Sequence, residues 1–319
     1  MYLCPENKRR KMSHKLLIIG SMAFDKIETP FQKSDIIMGG AANYAALSAA
    51  QFGVPTAVVS VVGGDYPTSF LKLLTQHHID ISGIEIDPQD KTFYWSARYH
   101  EDMNLRDTLD TQLNVLAHFK PVVPAAFTDA QVLMLGNLHP QIQIDVLAQM
   151  THLPFVVLDT MNYWITHTYE LLEEVISKVD MITINEQEAR QLTDEYSLVK
   201  AAKRILAMGT KYVVIKKGEH GALLFHEDSA FFAPALPLSE VCDPTGAGDV
   251  FAGGIVGYLT KTNDFSFENI KNAVIHGSNL ASFCIESLGA ERMLSLTPED
   301  INSRLYQFRD LTQFDIKLC

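Results

Sequence analysis

Cysteine is scarce and scattered: Cys4, Cys242, Cys284 and Cys319 include no CxxC pair. This spacing builds neither a disulfide framework nor a zinc cluster, and only Cys242 stands beside a candidate site. Basic residues are outnumbered, 26 Lys and Arg against 38 Asp and Glu, and the formal charge of -12 argues against a nucleic-acid-binding surface. No stretch approaches the roughly 18 uninterrupted apolar residues that span a bilayer, and the start of the chain lacks the apolar core of a signal peptide. The expectation is a cytoplasmic protein with neither a nucleic-acid nor a membrane partner. Two nucleotide-binding fingerprints are also missing. There is no GxxxxGK[ST], and IGSMAFD stands where a GxGxxG would follow a first strand.

What is present is an ordinary folding composition, 47% hydrophobic and 20% charged, in a chain long enough to bury a large core. The polar residues 1–14, with KRRK at 8–11 and an alternative start at Met12, read as a flexible tail. Residues 15–319 read as the folded domain.

Short apolar runs alternate with helical patterns. KLLIIG (15–20) and TAVVSVVG (56–63) are buried strands, while GGAANYAALSAAQFG (39–53) and FLKLLTQHHI (70–79) are helices. The rhythm recurs in VLMLG (132–136), a helix over 142–150, FVVLD (155–159), a helix over 168–179, MITIN (181–185), EQEARQL (186–192), a helix near 198–208, YVVIKKG from Tyr212, and GALLF from Gly221. Such spacing predicts right-handed crossovers and an α/β three-layer sandwich around a mostly parallel sheet. Two segments break the pattern. One lies near 26–38 and the other near 91–108, where KTFYWSARY alternates so that Phe93, Trp95, Ala97 and Tyr99 share a face. Together they predict a small β lid beside the site.

The sharpest chemical signal is DPTGAGD (243–249), directly before the apolar run VFAGGIVGYL. Gly246 and Gly248 permit backbone geometry closed to other residues and clear space for a phosphate. A helix beginning near Ala247 would offer its unpaired N–H groups to negative charge, with Asp249 in its first turn as a proton acceptor. Ala252, Gly253 and Gly254 would let that helix pack closely against its neighbours.

These residues carry a resemblance to the ribokinase-like, or PfkB, family of carbohydrate and nucleoside kinases, from about Lys15 onward. The family's D-T-x-G-A-G-D signature is matched by Asp243, Thr245, Gly246, Ala247, Gly248 and Asp249, with Pro244 set between Asp243 and Thr245. The resemblance implies Asp249 as catalytic base, the amides of Gly246, Ala247 and Gly248 as an anion hole, and a monovalent cation, K+, near this loop. Asn185 and Glu188 match an N-x-x-E motif, which implies that Glu188 organises Mg2+ through water while Asn185 meets phosphate. Asp25, Gly39, Gly40 and Asn43 match the positions that hold substrate hydroxyls. Asp65 resembles part of a V-G-x-D-x-x-G element whose last glycine is missing, which suggests a structural role. For the nucleotide the resemblance points to Lys216, Gly218, Thr245 and Asn279, with the stretch from Val274 to Leu280 as an adenine wall.

The expected activity is ATP-dependent phosphoryl transfer to a hydroxymethyl group of a small sugar or nucleoside. The alternative is a non-catalytic ligand-binding or regulatory protein that keeps the kinase fold. Arg98 and Arg106 in the lid would suit an anionic substrate, whereas Phe93, Trp95 and Tyr99 would cover a nucleobase or sugar face. A neutral acceptor fits the small-residue helix better, with Trp95 and Arg98 as the lid's contacts. Lid strands of this family sometimes pair between subunits, so a homodimer is also expected.

Overall fold

The computed structural model describes residues 14–313, so the expected tail lies, but for its last residue, outside the described residues, as do Cys4 and Cys319. The chain starts with β1 (Leu16–Ile19), leaves the main sheet for β2 (Ala23–Glu28) and β3 (Ile37–Gly39), and returns through α1 (Ala41–Ala50) to β4 (Thr56–Gly63). Helix α2 (Thr68–Gln76) leads to β5 (Ile79–Asp87), after which β6 (Phe93–Tyr99) and β7 (Arg106–Gln112) make a second excursion. Alternation resumes with β8 (Val132–Leu135), α3 (Pro140–Leu147), β9 (Phe155–Asp159), α4 (Asn162–His167), α5 (Tyr169–Ile176) and β10 (Met181–Asn185). It continues with α6 (Glu186–Thr193), α7 (Leu198–Ala207) and β11 (Tyr212–Lys216). A hairpin of β12 (Ala222–His226) and β13 (Ser229–Ala233) precedes α8 (Ala247–Thr262), α9 (Phe267–Cys284), α10 (Glu291–Leu294) and α11 (Pro298–Thr312).

The main sheet has the order β13-β12-β11-β10-β9-β8-β1-β4-β5, parallel from β11 to β5 with the β12–β13 hairpin antiparallel at one edge. Its strands read as continuous apolar runs because both faces are covered. Leu16 and Ile18 pack into one core with α1, α8 and α9, while Leu17 and Ile19 point into the other with α3, α5 and α7. The glycines of α8 make the first of these cores thin. A Cβ on Gly253 would strike the Ala45 carbonyl, and one on Gly254 would come within 2.9 Å of Gly277 Cα.

Strand order reverses at β1, which has β4 on one side and β8 on the other. In open α/β sheets such a reversal opens a crevice at the carboxyl ends of the strands. Over that crevice sits the lid, a separate sheet of order β3-β2-β6-β7. It is wider than the expected segments, beginning at Ala23 and running to Gln112. Strand β7 carries no apolar alternation because all seven of its residues are exposed, and only its pairing with β6 makes it a strand. The edge strands β5 and β13 and the short α4 are further elements not anticipated above.

Candidate active site

Three neighbouring parallel strands end in polar residues after otherwise apolar runs: Asp159 on β9, Asn185 on β10 and Lys216 on β11. Register brings them together, with Asn185 opposite Lys216 and Asp159 opposite Thr183. The Lys216 ammonium lies 3.0 and 3.2 Å from the two Asp159 carboxylate oxygens. Asp159 was not singled out in the sequence, although a carboxylate closing FVVLD was the signal available.

Asn185 and Glu188 form a reciprocal capping box at the start of α6. Asn185 Oδ1 accepts from the Glu188 amide at 2.8 Å, and Glu188 Oε2 accepts from the Asn185 amide at 3.0 Å. Burial pushes the Glu188 carboxyl up, against the pull of Lys216. One carboxylate oxygen, Oε1, is left over from the cap.

Across the crevice lies the turn into α8. Asp243 is fully buried and its two oxygens accept from the Thr245 and Gly289 amides, each at 2.9 Å, tying the turn to the loop after α9. Gly246 has φ +76°, and a Cβ there would run into the Tyr44 ring, so both conformation and space demand glycine. Gly248 leaves room for Lys216, whose ammonium would stand 3.2 Å from a Cβ at that position. The three amides expected as an anion hole are not alike. The Ala247 amide donates to the Pro244 carbonyl at 3.2 Å, whereas the Gly246, Gly248 and Asp249 amides have no backbone acceptor among the described residues. Asp249 is partly buried in the first turn of α8. Burial and then Asp159 push its carboxyl up to about 7, against Lys216 and Arg106. Besides Cys242, the buried Cys284 also belongs to this neighbourhood, its Sγ 3.6 Å from the Thr245 carbonyl oxygen.

The residues expected to hold the acceptor, Asp25, Gly39, Gly40 and Asn43, gather where the lid meets α1. Asp25 sits on β2, 4% exposed, in a space that a Cβ on Gly39 would fill with direct overlap of the carboxylate. Gly40 takes φ +90° to start α1 beneath it. Burial, then Asp243 and Asp249, push the Asp25 carboxyl up to about 8. Asn43 donates to the Gly39 carbonyl at 2.6 Å and to the Tyr66 hydroxyl at 3.1 Å, which leaves its buried Oδ1 without a partner. Such an orphaned acceptor beside a buried carboxylate suits a hydroxyl-bearing ligand. Asp65 is structural, its Oδ1 accepting from the Thr92 amide and hydroxyl at 2.8 and 2.7 Å.

In the lid, Trp95 pairs in register with Asp25, Ala97 with Ile27, and Tyr99 lies on the same face, its hydroxyl 3.1 Å from Thr245 Oγ1. Arg98 has the opposite parity. It pairs with Glu28 at 3.1 Å on the outer face, so the structure removes it from the expected substrate contacts. Arg106 takes the inner place instead. Asn279 is 0% exposed beneath α11, its amide donating to the Ile301 carbonyl at 3.1 Å while its Oδ1 has no partner among the described residues. Gly218, at φ +55°, is exposed, and a Cβ added there would run into the Asn104 side chain of the lid.

The description "pfkB family carbohydrate kinase" matches residues 15–296, nearly the whole described chain. The chain belongs to this kinase family. A cytidine kinase of Thermococcus kodakarensis is 32% identical over 249 residues, 76% of this chain and 88% of that protein. Among solved structures, the nucleoside kinase of Burkholderia thailandensis in complex with inosine has a TM-score of 0.74 at 21% identity, covering 92% of this chain and 98% of its own. A fructokinase of Vibrio cholerae O395, solved with fructose, ADP and calcium ion, has a TM-score of 0.75 at 20% identity, covering 93% and 99%. The kinase's α/β sandwich with a small added sheet is the fold these structures share. No described helix is long and apolar enough to cross a membrane.

Proposed function

We propose that this kinase transfers the γ-phosphoryl group of ATP to the primary hydroxymethyl group of a nucleoside. The observation that carries the reading is the pairing of Asp25 with Trp95 on one lid face, with the orphaned Oδ1 of Asn43 on a side chain whose amide bonds Gly39 next to Asp25. A carboxylate and an amide oxygen accept from ribose hydroxyls, while an indole beside them covers a flat base. The cytidine kinase relative supports the same acceptor class. Asp249 takes the hydroxyl proton as the oxygen attacks the γ-phosphorus, and the bond to the β,γ-bridging oxygen breaks to release ADP. The free amides at the start of α8, with Lys216, face the charge that gathers on the phosphoryl oxygens.

Mg2+ fits the free Glu188 oxygen through water, and when bound it screens the triphosphate charge. K+ beside the 243–245 turn is supported by the buried Asp243 and the unpartnered Tyr44 hydroxyl near Gly289. We place the protein in the cytoplasm, where ATP is available.

ATP consumption with Mg2+, with K+ present or replaced by Na+, across cytidine, uridine, adenosine, inosine, ribose and fructose tests this reading. The expected result is the highest kcat/KM on a nucleoside. A higher value on ribose or fructose than on every nucleoside overturns it.

The outer edge of β7 has no strand partner among the described residues, and Leu105, Leu109 and Leu113 stand exposed along it. Two lids meeting there as a homodimer would cover both edges. Light scattering should give twice the chain mass, falling to a monomer on Leu109→Lys. A monomeric wild type would refute the dimer.

A further inference from the structure

Tyr66 stands in the turn after β4, between the lid and α2. Its amide donates to the Gly63 carbonyl at 3.1 Å, and Asp65 beside it is tied to Thr92 just before β6. Its ring stacks on Phe24 of β2, with centroids 5.6 Å apart and planes 22° from parallel, and meets Phe70 of α2 edge-on at 5.6 Å. The residue is 6% exposed. A phenyl ring would serve that packing equally well, so the hydroxyl needs a separate reason.

That reason is the Asn43 side chain. The Gly39 carbonyl can only accept, so at 2.6 Å it must face the amide nitrogen of Asn43 and not the oxygen. The second N–H of that amide goes to the Tyr66 hydroxyl at 3.1 Å. With both donors engaged the amide has one orientation, and its Oδ1 is left as a buried acceptor without a partner. Phenylalanine at position 66 would keep the ring contacts and strand the second N–H in a buried site, a cost that turning the amide would relieve.

We propose that Tyr66 is a positioning residue that sets acceptor specificity, its hydroxyl locking the Asn43 amide so that Oδ1 accepts from one ring hydroxyl of the nucleoside ribose. The proposal rests on the kinase reading above and deepens it, naming the group that makes a hydroxylated ribose preferred over its deoxy form. A site whose buried acceptor is held in place rejects an analogue that lacks the matching hydroxyl, whereas an amide free to turn does not. The lock is also joined to the lid, because β2, which carries Asp25, supplies the Phe24 ring on which Tyr66 stacks. Discrimination between hydroxyl and hydrogen thereby depends on a residue that acts through Asn43.

The test compares wild type with Tyr66→Phe, Asn43→Ala and the double variant on cytidine, 2′-deoxycytidine and 3′-deoxycytidine. Wild type should favour cytidine over one of the deoxy forms by at least about 30-fold in kcat/KM. Tyr66→Phe should raise the cytidine KM about tenfold with kcat within about threefold, and should use that deoxy form within about twofold of wild type. In the Asn43→Ala background the same change should cost less than about twofold. Independently of turnover, in protein labelled with 15N-asparagine, the side-chain NH2 signal that Asn43→Ala removes should exchange with solvent at least about tenfold faster in Tyr66→Phe. The proposal is overturned by a wild type that does not discriminate against either deoxy form, or by a wild-type cytidine KM in Tyr66→Phe. An equal loss on cytidine and both deoxy forms, a loss that adds in full to that of Asn43→Ala, or unchanged exchange of the Asn43 signal overturns it as well. A wild type that prefers a sugar, or turns over none of these acceptors, would instead count against the proposed function, and the exchange rates would still decide for or against the lock on Asn43.

Discussion

Asp249→Asn is expected to lower kcat by about 10²- to 10⁴-fold, the range for loss of a general base, with ATP affinity within a few fold of wild type. The amide keeps the shape of the carboxylate and leaves the start of α8 intact, since Gly246 and the Tyr44 ring hold the turn. It cannot accept the hydroxyl proton. The pH profile gives a second check. With the Asp249 carboxyl pushed up to about 7, the unprotonated form that works as a base is lost as pH falls. The wild-type kcat/KM should therefore fall more steeply below about pH 7 than that of Asp249→Asn, whose residual activity keeps only the limb set by Asp25 near 8. Near-wild-type turnover in the variant would remove Asp249 from the chemistry.

Asp25→Asn should separate function from stability. Ribose hydroxyls donate to an ionised Asp25, and losing a charged acceptor should reduce nucleoside kcat/KM by about 10²-fold. The fold should respond in the opposite direction. Burial together with Asp243 and Asp249 raises the Asp25 carboxyl from 3.8 to about 8, so the native state holds this proton more tightly than the unfolded chain does. Stability is therefore lost as pH rises from about 4 to about 8, and an amide escapes that loss. By differential scanning fluorimetry, Asp25→Asn should melt at least about 3 °C above wild type at pH 8, with the gap closing toward pH 4. A lower melting temperature at pH 8 would show that the carboxylate stabilises its pocket. The strain of a charged acceptor kept in a dry site is then the condition for binding a polyol there, as Gly39 indicates by leaving just enough space for it.

Much of the kinase was legible in its sequence because the signals were local. Strand and helix alternation fixed the layers, and a glycine turn before a small-residue helix located Asp249. The lid was harder to read. Strand β7, RDTLDTQ, is polar on both sides and has no periodicity to detect. The expected role of Arg98 failed on parity: it and Trp95 are three residues apart on a strand, hence on opposite faces, and KTFYWSARY does not say which face meets the crevice. The burial of Asn279 beneath α11 is a long-range fact that the local pattern did not contain. Lys216 was distinguishable from Lys217 only once Asp159, 57 positions away in the chain, supplied its partner.

The sequence by itself determined the class of fold, the family and the residue types the chemistry needs, since propensity, periodicity and turn chemistry act over a few neighbours. The tertiary structure decided which charges meet. It set Asp159 against Lys216, brought Asp25 into the field of Asp243 and Asp249, and turned Arg106 inward while Arg98 faces out. Those outcomes depend on strand order, register and burial, and Coulomb energies follow distances in space rather than separations along the chain.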